Sequence, residues 1–134
     1  MEFTMKEVGF RTTLEYGELH VAGDEAHGFR PYQLLVSSVA ACSGGVLRKI
    51  LEKKRLHVKN MTIHANVTRN EREANRVEAI HLHFVLGGEG LTEEKVAKSL
   101  EVARKNCPIV RSVEECIRIT ETFEIKKGSE NNDE

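Results

Sequence analysis

The sequence predicts an α+β fold. Three observations carry this expectation: a long apolar stretch of helical composition from Pro31, two strictly alternating stretches at 57–68 and 80–86, and a second, amphipathic helical stretch that ends at Cys107-Pro108. The 134 residues suffice for one domain and not comfortably for two. A single domain over 1–126 is expected, followed by a polar tail at 127–134 expected to be disordered.

Residues 2–8 and 11–22 read as strands of a meander, with turns at Gly9 and at Tyr16-Gly17. A polar loop, 23–30, follows. Pro31 suits a first helical position, where its missing N–H would have had no partner anyway. Leu34, Leu35, Val36, Val39, Ala40, Ala41, Val46 and Leu47 then run all the way round the helix. A helix apolar on every side is buried. Its apolar run is shorter than the roughly 20 residues a bilayer requires and is broken by Ser and Gly. It is therefore read as the central helix of a soluble protein. Ser37, Ser38, Gly44 and Gly45 let another helix or a second subunit pack close to it. Lys53, Lys54 and Arg55 suit its C-terminal end, where the backbone dipole is negative.

Met61, Ile63, Ala65 and Val67 face one way in the next stretch, and Thr62, His64, Asn66 and Thr68 the other. Ile80, Leu82, Phe84 and Leu86 repeat the pattern after a polar turn at 70–75, so a long antiparallel hairpin is expected over the central helix. Gly87-Gly-Glu-Gly90 ends it. Thr92 is a good N-cap, Glu93 and Glu94 sit in the positive first turn, and Leu91 can staple onto Val96. Val96, Ser99, Leu100, Ala103 and Cys107 form the helix's narrow apolar face. Cys107 precedes Pro108 and is pushed out of the α region, so the helix stops there. Pro108 then starts a short helix over 109–114, with Cys107 at or near its N-cap, where a thiolate is favoured. A last strand places Ile117, Ile119 and Phe123 inward and Arg118, Thr120 and Glu124 outward.

Lys and Arg total 20 and Asp and Glu 21, so charge favours neither nucleic acid nor an anionic membrane. The first residues form no charged-then-apolar leader, and a cytoplasmic location is expected. There, three cysteines read as free thiols, redox thiols or ligands rather than structural disulfides. No CxxC, P-loop or Ser-His-Asp arrangement occurs. His64, His81 and His83 share polar strand faces; no cysteine or carboxylate completes a metal set with them, and a solvated sheet face accounts for them.

The pattern Pro31-x-x-Leu34-Leu35-x-x-x-x-x-Ala41-Cys42, followed 65 residues later by Cys107-Pro108, a short helix and a closing strand, resembles the OsmC/Ohr family. The resemblance covers residues 1 to about 126. It implies an α+β fold in which antiparallel strands wrap two long helices, as an intertwined homodimer with active sites at the subunit interface. It also implies a thiol peroxidase that reduces small organic hydroperoxides in oxidative and osmotic stress protection, with no metal or flavin. Cys42 would be the peroxidatic cysteine and Cys107 the resolving one, reset by an external dithiol. Such chemistry needs a thiolate that attacks the outer peroxide oxygen, and a second thiol that traps the sulfenic acid. The family's arginine, which holds the thiolate, matches Arg11 best, with Arg30 as an alternative. Its orienting glutamate falls on Tyr32, which places the chain with a divergent branch. Tyr32, Leu35 and Val39 are expected at the substrate pocket; Cys116 has no place in the motif. The alternative function is a non-catalytic member that binds a small apolar or thiol ligand at the dimer interface.

Overall fold

A computed structural model describes residues 1–127; from residue 128 the expected polar tail lies outside the described residues. The chain clusters into two compact units, Met1–Ser37 and the remainder from Ser38. The first unit holds β1 (Thr4–Met5), β2 (Phe10–Thr13) and β3 (Glu18–Val21), paired antiparallel in that order. These strands are shorter than the alternation suggests, because turns consume the ends. Gly9 takes φ +84°, and a side chain there would run into the Val21 carbonyl. Phe3, Met5 and Phe10 remain exposed.

The boundary between the units falls within α1 (Pro31–Lys53). Pro31 occupies the first helical position, and the Arg30 carbonyl accepts the first N–H bonds, from Gln33 and Leu34 at 3.0 and 3.1 Å. At the other end Arg55 adopts φ +62°, and Leu56 N–H reaches back to Leu51 C=O at 3.0 Å. This is the left-handed termination usually supplied by glycine, closed by the buried pair Leu51 and Leu56.

β4 (His57–Asn70) and β5 (Arg76–Glu89) form the expected long antiparallel hairpin, turning through Ala74 and Asn75, both at positive φ. α2 (Glu93–Asn106), α3 (Pro108–Val113) and β6 (Arg118–Lys126) follow. Thr92 caps α2 by accepting the Lys95 N–H at 3.2 Å. The sheet order is β4-β5-β6. One pairing departs from the antiparallel expectation: β6 runs parallel to β5, with Ile80 beside Ile119 and Phe84 beside Phe123. The α2–α3 crossover supplies the long connection that a parallel neighbour needs.

Ile80, Leu82, Phe84 and Leu86 are fully buried on β5, together with Val39, Leu47 and Leu51 of α1, Val96 of α2 and Val110 of α3. The central helix differs from expectation in two ways. It is buried along one stripe only, Val39, Ser43, Gly44, Leu47 and Leu51, while Ser37, Ser38, Ala41 and Gly45 are exposed. One chain of this size does not cover the second face. At 23 residues it is also long and apolar enough to cross a bilayer by length and composition, so length does not exclude that. Packing argues for a core role instead: Gly44 approaches Ile63 and Met61 of β4 so closely that a β-carbon would fall 2.6 Å from Ile63 Cδ1.

Alternation also turns Glu121 of β6 inward, between Ile119 and Phe123. Its Oε2 is buried without a hydrogen-bond partner. Burial raises its carboxyl above the ordinary 4.5, against the pull of Arg104. The folded state thus holds this proton more tightly than the unfolded one. Stability from this group falls as pH climbs from about 4.5 through the folded value, and above it the penalty is complete. Glu121→Met is expected to raise the Tm at pH 7 by about 2–4 °C, with the gain shrinking below pH 4.5. Thermal melts at several pH values check this; a lower Tm at pH 7 contradicts it.

Candidate functional site

Cys107 is at once the C-cap of α2 and the N-cap of α3, with φ −87° and ψ 110°. Pro108 enforces that extended conformation. The kink turns the thiol back over the start of α3, where its Sγ accepts the Val110 N–H at 3.5 Å. Cys107 is fully buried. Its Sγ also lies 3.7 Å from Ser43 Oγ, a buried hydroxyl on α1.

Cys42 precedes Ser43 on the same helix and is half-buried. Its sulfur accepts the Ile109 N–H and hydrogen-bonds with the Cys107 thiol. Two consecutive amides at the start of α3 therefore serve two sulfurs, Ile109 that of Cys42 and Val110 that of Cys107. The structure brings these two cysteines together and leaves Cys116 exposed at the entry to β6.

The electrostatics of this cluster work against a resting thiolate on Cys42. Burial pushes its thiol above the ordinary value; the Ile109 N–H pulls it down, and both the hydrogen bond and the charge of Cys107 push it further up. No cation is among these influences.

Arg11 sits on β2, where its Nη1 pairs with Glu18 Oε2 at 3.3 Å. Glu18 Oε1 accepts from His20 Nε2 at 3.0 Å, and His20 Nδ1 meets Lys6 Nζ at 2.9 Å. His20 and Arg11 hold the Glu18 carboxyl below its ordinary range, His20 most strongly. Arg30 places its guanidinium 5.1 Å from the centre of the Tyr32 ring. Tyr32 and Leu35 are half-exposed in the first turns of α1, whereas Val39 is fully buried in its core stripe.

His81 and His83 bridge to β6. His81 meets Thr120 Oγ1 at 2.7 Å and Thr122 Oγ1 at 3.0 Å; His83 meets Thr122 Oγ1 at 2.6 Å and Glu124 Oε2 at 2.8 Å. Among the described residues no three His, Cys, Asp or Glu side chains converge to hold a metal. A groove of about 470 Å³ opens between α2 and β6, lined by Leu100, Arg104, Glu121 and Phe123 among others; neither Cys42 nor Cys107 lines it.

Sequence reasoning missed Ser43 and the Ile109 amide. A serine directly after the cysteine in an apolar helix was the available signal; only tertiary contact shows that it faces Cys107.

The family model for OsmC-like protein matches residues 23–122, and the chain belongs to the OsmC-like family. It is 27% identical over 105 residues to Protein YhfA of Escherichia coli K12, covering 78% of this chain and 77% of that one. Its fold is similar to a hypothetical protein from Aquifex aeolicus VF5 at TM-score 0.84 and 25% identity, covering 93% of each chain. It is also similar to an organic hydroperoxide resistance protein from Elizabethkingia anophelis at TM-score 0.73 and 17% identity, covering 94% of this chain and 97% of that one.

The raised Cys42 thiol has a measurable consequence. The pH midpoint of Cys42 alkylation by iodoacetamide, followed by peptide mass spectrometry, is expected above that of free cysteine. Cys107→Ala is expected to lower it, since both Cys107 influences raise it. A wild-type midpoint below the free-cysteine value would show that a cation outside this cluster acts on the sulfur.

Proposed function

We propose that this protein is a cysteine-based peroxidase acting on small organic hydroperoxides, with Cys42 peroxidatic and Cys107 resolving, in protection against oxidative stress. The observation that carries the reading is the pair of hydrogen-bonded thiols, one half-exposed and one buried, 65 residues apart in sequence. Family membership and the likeness to the hydroperoxide resistance protein support it.

In this reading the Cys42 sulfur attacks the outer oxygen of ROOH. The O–O bond breaks, the thiol proton leaves with the alkoxide as ROH, and Cys42 becomes a sulfenic acid. The Cys107 sulfur then attacks Cys42; the S–S bond forms, the S–O bond breaks, and hydroxide leaves with the Cys107 proton as water. An external dithiol reduces the disulfide by exchange. Arg11 is assigned the cation role toward the Cys42 thiolate. The protein acts as a homodimer in the cytoplasm; the uncovered small-residue face of α1 and the exposed Phe3, Met5 and Phe10 support association.

A second reading, a binder of a small apolar or thiol ligand without turnover, is favoured by the raised Cys42 thiol and by Tyr32 at the family's glutamate position.

Thiol counting after one equivalent of cumene hydroperoxide separates the two. The peroxidase is expected to lose two thiols per chain within seconds and regain them with dithiothreitol, and Cys42→Ser to lose at least about 100-fold in rate, the scale of removing a nucleophile. Loss at the rate of free cysteine, or an unchanged rate in Cys42→Ser, contradicts it. Sedimentation is expected to give a dimer at micromolar concentration; a stable folded monomer there contradicts the homodimer.

A further inference from the structure

We propose that Ser43 is a positioning residue that holds the Cys107 sulfur for disulfide closure with Cys42. The inference deepens the peroxidase reading at the same site. Ser43 is 3% exposed and Cys107 fully buried, and their side chains lie 3.7 Å apart. The Val110 N–H fixes the same sulfur from the α3 side at 3.5 Å. Ser43 is also the next residue after Cys42, so one rigid helix carries both the sulfur to be attacked and the hydroxyl that holds the attacker.

The chemistry gives this hydroxyl a task. In the closure step Cys107 must give up its proton and turn its lone pair on Cys42. A sulfur with no access to water pays heavily for the developing negative charge unless donors face it. Once Cys107 loses its proton its sulfur can only accept, so the Ser43 hydroxyl beside it turns donor and joins the Val110 N–H; the peptide amide cannot be removed by substitution while the hydroxyl can. Ser43 has no part in the first step, because its contact is with Cys107 and the peroxide meets Cys42. Its loss therefore slows closure while sparing sulfenic acid formation, and Cys42 is left open to over-oxidation.

The test is single-turnover oxidation of Ser43→Ala, a substitution that suits a helix interior and removes one atom. Reduced protein is mixed with one equivalent of cumene hydroperoxide, and Cys42 sulfenic acid (as its dimedone adduct) and disulfide are quantified by mass spectrometry over time and pH. Sulfenic acid is expected to form at the wild-type rate. Disulfide closure is expected to slow by about five- to tenfold, the scale of one lost hydrogen bond. Its pH midpoint is expected to move up, since Cys107 loses a donor to its ionised form, and dimedone adduct and Cys42 sulfinic acid to accumulate. Closure at the wild-type rate overturns the proposal. So does slower closure with an unmoved pH midpoint, which would be a packing effect. A parallel arm uses diamide, which takes up the two electrons and two protons without peroxide. If wild-type protein ignores the hydroperoxide, the peroxidase reading falls and the diamide arm alone decides Ser43: slowed closure with a raised midpoint supports it, wild-type closure overturns it.

Discussion

The exclusion of Cys107 from the α region by Pro108 is the constraint on which the site depends. Without it, α2 would run on through Cys107 and the next amides would be spent on helical carbonyls. With it, α2 stops, α3 starts, and the N–H groups of Ile109 and Val110 are released toward two sulfurs. A steric rule acting on one dipeptide thus creates the donors, buries one thiol and sets it beside the other. The second thiol comes from α1, which reaches the site because Gly44 lets it settle against Ile63 and Met61 of β4.

The same helix leaves part of its surface uncovered, which is the basis of the proposed homodimer. Its buried stripe accounts for about a third of its apolar window. Of the rest, Leu34, Leu35, Val36 and Val46 are half-buried and Ser37, Ser38, Ala41 and Gly45 exposed, and partly exposed apolar surface costs free energy in water unless something covers it. The cluster around Cys42 carries a related deficit. Burial holds the sulfur as a thiol, and the influences on it include no cation. Within the proposed function, the charge that permits attack has to be brought to the sulfur, the role proposed for Arg11. The half-exposed Arg11–Glu18 ion pair contributes little to stability.

Much of the fold was legible in the sequence because local rules and tertiary structure agree. Thr92 followed by two glutamates marked the α2 start, Val96, Ser99, Leu100 and Ala103 marked its buried face, and period-two alternation marked β4 and β5. The parallel placement of β6 was not legible, since alternation is the same in either direction. Glu121 falls on the inward side by the same alternation as Ile119 and Phe123, but a charged residue type hid it. The Cys107 half of the site could be read from Cys-Pro alone. Ser43, the Ile109 amide and the raised Cys42 thiol could not, because they arise from burial of Cys42 and from contacts between residues more than 60 positions apart. The all-round burial inferred for α1 is not seen within this chain for a different reason: apolar composition does not state which faces of a helix are covered.

The central claim is that Cys42 and Cys107 of one chain act as a redox pair. Peptide mapping of the oxidised protein by non-reducing mass spectrometry tests it most directly. The account predicts one dominant cross-link, Cys42 to Cys107 within a single chain, with Cys116 still reduced. A dominant cross-link to Cys116 or between chains, or Cys42 over-oxidised beside an intact Cys107 thiol, would contradict it.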